Sequence, residues 1–223
     1  MEKNFRHEYK FLISPNAARL LKLRLPHIMG RDPHAGPTGQ YTIRSLYFDD
    51  PNFTAFRDKV DGVDNRTKYR IRCYNGDTSR CRLERKEKKG HLTRKTGQSI
   101  TAQEALALQS RTSSPADGLC EELRLLCAAS GLRPMVLVDY DRTPFVCAAG
   151  NTRITLDENL RTRPYCADLF DTARSMMPVL EDNQVILEVK FDDYLPGYLR
   201  DALADIPKIP MAISKFAMCL NLI

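Results

Sequence analysis

Between Cys81 and Lys95 the sequence reads CRLERKEKKGHLTRK: arginines and lysines alternate with other residues as they would along a β-strand, and one carboxylate, Glu84, stands among them. Successive side chains on a strand point to opposite faces, so each extended stretch divides into two sets. FRHEYKFLI (5–13) sets Arg6, Glu8 and Lys10 against Phe5, His7, Tyr9, Phe11 and Ile13. KYRIRCY (68–74) sets Lys68, Arg70 and Arg72 against Tyr69, Ile71 and Cys73. CRLERKEKK (81–89) sets Arg82, Glu84, Lys86 and Lys88 against Leu83, Arg85 and Glu87, a weaker contrast that predicts partial exposure. VLVDYDRTPFV (136–146) puts Tyr140 and Arg142 on one face, and TRITLD (152–157) does the same for Arg153, Thr155 and Asp157. QVILEVKF (184–191) carries Glu188 and Lys190 opposite Val185, Leu187, Val189 and Phe191.

Like charges side by side on neighbouring strands repel, so faces this rich in cations predict an anionic occupant. An open basic sheet would suit a nucleic-acid backbone, whereas a closed barrel with polar residues inward would make a walled channel. The carboxylates Glu8, Glu84 and Glu188 favour the second. Beside a phosphate they are repulsive unless a divalent metal bridges the two. Tyr9, Tyr69 and Phe191 fall on the apolar sets, so the charged faces lack the aromatic platforms of single-strand binders, and no nucleic-acid partner is expected. Glycine-rich phosphate loops are absent too, which leaves any nucleotide to side-chain cations. His7, His27, His34 and His91 have no ligand spacing.

The elements that must hold these faces are legible. Ser14-Pro15 and Asp50-Pro51 each offer an oxygen cap followed by proline, and TAQE at Thr101 has the form of a capping box. They predict helices over 15–28, 51–59 and 102–109. LCEELRLLCAAS (119–130) and PGYLRDALADI (196–206) read as two more, all short and amphipathic, while 30–40 and 110–118 read as loops.

With 223 residues, 43% of them hydrophobic and 28% charged, the chain is expected to fold as one domain over 1–223. A net charge of +6 is modest for a nucleic-acid binder. Seven cysteines without a CxxC pair argue against a disulfide framework or a thiolate zinc site; Cys120 and Cys127 are expected on one helix face as core thiols. The N-terminal stretch MEKNFRHEYKFLIS has no continuous apolar core, and no apolar run approaches membrane-spanning length, so a cytoplasmic location is expected.

HEYKF at 7–11, YTIRSLYFDD at 41–50, KYRIRCY at 68–74, LERK at 83–86, YDRTPF at 140–145, LEVK at 187–190 and SKF at 214–216 occur in one order. Together they resemble the catalytic domain of the vacuolar transporter chaperone polyphosphate polymerases, a branch of the triphosphate tunnel metalloenzymes, over residues 4–220. The resemblance implies an α+β fold whose closed barrel of eight antiparallel strands, flanked by helices, threads a nucleoside triphosphate or polyphosphate. It implies cationic catalytic positions at Lys10, Arg70, Arg72, Lys86, Arg142, Arg153 and Lys215, and a further basic position at Lys95. Arg44, Lys68, Tyr140 and Ser214 join Lys95 as expected substrate contacts. Glu188 is the implied metal ligand for Mn2+ or Mg2+, with Glu8 and Glu84 as candidates beside it.

The implied reaction passes the γ-phosphoryl group of ATP to a growing polyphosphate chain. Tripolyphosphate or nucleoside triphosphate hydrolysis, and non-catalytic polyphosphate binding, are the alternatives. Triphosphate and pyrophosphate are further expected ligands. Eukaryotic members carry a sensor domain and membrane-spanning partner subunits; this chain resembles a stand-alone prokaryotic member, for which a membrane-bound partner remains an expectation.

Overall fold

A computed structural model describes residues 7–90, 92–112, 116–164 and 169–223. Arg6, His91, Cys166 and the middle of the expected 110–118 loop, residues 113–115, lie outside the described residues. The chain forms an α+β fold with a large antiparallel sheet and divides into two compact units. The first comprises Met1–Tyr41, Tyr140–Leu160 and Leu180–Ile213; the second comprises Thr42–Asp139, Arg161–Val179 and Ser214–Ile223.

The first unit contains β1 (His7–Ile13), α1 (Pro15–Arg24) and the short β2 (Gly30–Arg31). The second begins with β3 (Tyr41–Asp49), α2 (Thr54–Val60), β4 (Arg66–Tyr74), β5 (Asp77–Lys89) and β6 (Leu92–Ile100). It continues with α3 (Ala102–Ser110) and α4 (Gly118–Ala129). Two long strands, β7 (Arg133–Cys147) and β8 (Thr152–Pro164), contribute residues to both units. Then follow β9 (Met177–Pro178), β10 (Val185–Phe191), α5 (Gly197–Ala204), β11 (Ile209–Pro210) and α6 (Lys215–Leu220).

Each unit has its own core. In the first, Ile13, Leu21, Leu25, Ile154, Leu156, Leu187 and Leu199 are buried together, with α1 presenting Ala17, Ala18 and Leu21 to the strands. In the second, Leu46, Phe48, Ile71, Leu83, Leu123 and Leu137 form the centre, and α4 adds Leu119 and Cys120, with Cys127 half-buried beside them. Each fully buried leucine or isoleucine contributes about 1.5 to 3 kcal/mol relative to exposure. Six cysteines among the described residues are free thiols, four of them buried.

The hydrogen bonds do not close the expected eight-stranded barrel. Among the described residues the strand path runs β11-β1-β10-β8-β7-β3-β4-β5-β6, with β2 added on β7 and β9 on β8, and its end strands are not paired with one another. One reason is local: β11 is only two residues long and ends on Pro210, whose missing N–H cannot extend a ladder.

Helix starts follow their caps, with one shift. Ser14 accepts from the Ala17 N–H, and Thr101 and Glu104 form the reciprocal capping box of α3. The helix expected from Pro51 instead opens at Thr54. Asp50 caps the preceding turn, accepting from Asn52 and Thr54, while the buried Asp49 carboxylate folds over to accept from the Ala55 and Phe56 N–H groups at 2.9 and 3.0 Å.

Candidate functional site

In the second unit, strand register builds a charged grid. Across β4 and β5, Arg72 stands opposite Arg82, Arg70 opposite Glu84 and Lys68 opposite Lys86; across β5 and β6, Lys86 stands opposite Lys95 and Glu84 opposite Gly97. These six cations, with Arg66 opposite Lys88 further along the same strands, therefore share one face with a single carboxylate. The other face of these strands carries Tyr69, Ile71, Cys73 and Leu83 into the core, which fixes the register because a slip of one residue would bury the cations.

Glu84 is the hub. It is 2% exposed; Arg70 reaches its Oε2 with Nε at 2.8 Å and Nη2 at 2.6 Å, and Lys95 reaches Oε1 at 2.5 Å. Burial opposes its ionisation, but Arg70, Arg72 and Lys95 more than offset this and hold the carboxyl at about 2. Neighbouring β3 supports the arginines: Tyr47 accepts from Arg70 Nη1 at 2.8 Å, and Ser45 lies 3.4 Å from Arg72 Nε. Lys68 sits with Nζ 4.7 Å from the centre of the Phe216 ring of α6, and Tyr47 packs on the same ring. Burial, with Lys59, Arg66 and Lys86 nearby, pushes Lys68 down to about 7. Lys215, half-buried, opens α6.

The first unit holds a second cluster with balanced charge. Glu8 lies opposite Lys190 and Lys10 opposite Glu188 across β1 and β10, so two lysines and two carboxylates alternate in a square. Lys10 Nζ lies 2.8 Å from Glu8 and 3.6 Å from Glu188, and Lys190 Nζ lies 3.2 Å from Glu188. Arg142 on β7 makes two short bonds to the fully buried Asp157 on β8, at 2.6 and 2.7 Å, and lies 3.5 Å from Glu188. Burial disfavours the Arg142 charge, yet Asp157, with lesser help from Tyr140 and Glu188, raises it well above its usual value. Arg153 donates from Nη2 to Asp32 at 2.7 Å and to the Tyr41 hydroxyl at 2.9 Å.

Of the expected substrate contacts, Arg44 is engaged by the protein itself. Its Nε and Nη2 grip Asp139, and its Nη1 donates to the carbonyls of Leu169 and Asp171, so the guanidinium is used as an anchor for the segment after β8. The alternation already held that signal, because Arg44 shares its set on β3 with Leu46 and Phe48 and pairs with Cys73 on the core side. Ser214 is the N-cap of α6, accepting from the Ala217 N–H at 3.4 Å. Tyr140 is 3% exposed with the Arg142 guanidinium 5.3 Å from its ring centre, which makes it a support for that arginine. Tyr47, Asp32, Tyr41 and Asp157 were missed as site residues. Asp157 had the clearest signal, its place on one face with Arg153 and Thr155 in TRITLD.

Among the described residues no group of three or more His, Cys, Asp or Glu side chains is gathered to hold a metal ion. Glu8 and Glu188 carry the oxygen donors that hard divalent ions take, and each lies against Lys10 and Lys190 in the square. Glu84 lacks a second carboxylate and is enclosed by cations, an arrangement of a counter-ion. Nor is any described helix long and apolar enough to cross a membrane.

No curated protein matches the sequence at a significant level. Among solved structures, a protein from Bacillus halodurans, described provisionally as an adenylate cyclase, is similar at 17% identity and a TM-score of 0.56, covering 95% of each chain. The PH1819 protein of Pyrococcus horikoshii is similar at 12% identity and a TM-score of 0.51, covering 98% of this chain and 99% of that one. Both likenesses concern the fold. The model of the VTC domain matches residues 5–223, nearly the whole sequence, and the chain belongs to that family.

Proposed function

We propose that the chain is a polyphosphate polymerase that binds ATP and polyphosphate and works as one VTC-type catalytic domain. The observation that carries this reading is the grid on β4, β5 and β6, where six cations surround one buried carboxylate. Repulsion within such an excess of positive charge is relieved by an anion of several charges beside it. A triphosphate or polyphosphate chain supplies regularly spaced charges, and arginine matches phosphate oxygens in pairs.

In the proposed reaction a terminal oxygen of the polyphosphate attacks the γ-phosphorus of ATP, the bond from that phosphorus to the β,γ-bridging oxygen breaks, and ADP leaves with the electron pair. The attacking oxygen is already ionised, so no general base is needed. Catalysis then rests on positioning and charge stabilisation. Arg70, Arg72, Lys86 and Lys95 are assigned to the phosphates, with Lys68 and Lys215 at the margin of the same unit. Lys10, Arg142 and Arg153 supply the cations of the other unit. Glu8 and Glu188 would hold the Mn2+ or Mg2+ ion, which when bound would neutralise phosphate charge. Glu84 is assigned as the counter-ion of the grid. Held ionised at about 2, it is a poor base for activating water, which favours transfer over hydrolysis.

Incubation of the protein with ATP and Mn2+ is expected to yield chains longer than triphosphate on a gel, together with ADP. Orthophosphate as the sole new phosphate product would replace the polymerase with a hydrolase. Glu188→Gln is expected to lose turnover and keep tripolyphosphate binding; undiminished turnover would remove Glu188 from the metal role.

A further inference from the structure

Arg82 is a cation of the grid for which the family resemblance supplies no role. It stands directly opposite Arg72, a pairing of like charges that is unfavourable in isolation. Its side chain lies across the neighbouring strand β6 at Gly97. A methyl group at position 97 would stand 2.6 Å from Arg82 Nε and 2.9 Å from Nη2, so only glycine leaves room for this pose. The backbone at Gly97 is not left-handed, so it is the space that calls for glycine there.

Once laid over Gly97, the guanidinium makes only long contacts. Nη2 is 3.5 Å from the Gly97 carbonyl oxygen and Nε is 4.0 Å from Glu84 Oε1, while the side chain stays 49% exposed. By contrast, Arg70 on the same face reaches Glu84 at 2.6 Å and is 22% exposed. Arg82 thus keeps its donors at the solvent edge of the grid, next to Glu84 and on the same face as Arg72 and Lys95.

We propose that Arg82, held across Gly97, is a further phosphate-binding residue that contacts the part of a triphosphate or polyphosphate chain lying over β5 and β6. This rests on the phosphate-binding reading of the grid. A planar guanidinium with free N–H donors takes two phosphate oxygens at once. Gly97 acts through Arg82, as the flat floor that positions it.

Calorimetric titration of the full chain with tripolyphosphate, without divalent metal, tests the pair. Arg82→Ala is expected to weaken binding about tenfold, the usual effect of losing one charge-assisted contact. Gly97→Ala should give a similar loss by pushing Arg82 aside, with the melting temperature unchanged because the methyl meets only the far end of a flexible side chain. The double variant should be no weaker than Arg82→Ala alone. Should Gly97→Ala fail to fold, Arg82→Ala still decides. Wild-type binding with Arg82→Ala within about twofold of it would overturn the Arg82 assignment alone. Losses that multiply in the double variant would overturn the role of Gly97. No binding by the wild type would overturn the grid reading and this one with it.

Discussion

Arg142 and Asp157 meet in two parallel hydrogen bonds, Nε to Oδ1 at 2.6 Å and Nη2 to Oδ2 at 2.7 Å, with the carboxylate fully buried. Removing one partner leaves an uncompensated charge in the interior. Asp157→Ala is therefore expected to destabilise the chain by about 3 to 5 kcal/mol in a denaturant melt. A cost under about 1 kcal/mol would mean the pair is solvated, as exposed pairs are. The activity of any Arg142 variant has to be read against that of Asp157→Ala, since both disturb the same support.

Arg44 and Arg70 should separate cleanly. Arg44→Ala strips Asp139 and two carbonyls of their donors and is expected to cost about 3 kcal/mol of stability, while folded protein keeps its tripolyphosphate affinity. Arg70→Ala is expected to weaken tripolyphosphate binding about tenfold. It should also reduce the salt dependence of binding. Equal effects of the two variants on affinity would restore Arg44 to the site.

Acid should loosen the grid. Glu84 sits at about 2 against a usual 4.5, despite a burial penalty that Arg70, Arg72 and Lys95 outweigh. Its stabilising contribution is complete above pH 4.5 and disappears as pH falls towards 2, for a total on the order of 3 kcal/mol. Glu84→Gln is expected to flatten that part of the stability profile. It should also tighten metal-free tripolyphosphate binding, because it removes the one negative charge among the six cations; weaker binding would argue against the counter-ion role.

Lys68 is shifted the same way for the opposite reason, its charged form being disfavoured in the folded chain. Burial and the neighbouring Lys59 and Arg66 lower it from 10.5 to about 7, so between those values the unfolded chain binds more protons than the folded one and stability rises with pH. A phosphate placed over Lys68 would favour its charged form. Tripolyphosphate binding near pH 7 is thus expected to take up protons, seen as a dependence of the calorimetric heat on the buffer's ionisation enthalpy. Lys68→Met should abolish much of that uptake, and an unchanged heat would place Lys68 away from the ligand.

Local signals were readable where the chain satisfies itself within a few residues. The capping box of Thr101 and Glu104 is one case. The shift of α2 shows the limit: Asp50 has the form of a cap, but Asp49, next to it, reaches the N–H groups of Ala55 and Phe56. Which of two adjacent carboxylates turns inward depends on the fold of the intervening turn. The barrel expectation met a different limit, because closure requires pairing between strands at opposite ends of the path, and a two-residue strand ending in proline offers almost nothing to pair with.

By itself the sequence determined which side chains share a face. The two-residue period of a strand is a local property, so Lys68, Arg70 and Arg72 were on one side before any partner was known. Tertiary structure decided which carboxylate answers which cation. Arg70 finds Glu84 across 14 residues of chain, and Arg142 reaches Glu188 across 46. Those meetings depend on inter-strand register, and register is selected by burying Ile71 and Leu83 together on the far side of the sheet, a condition that no single strand carries.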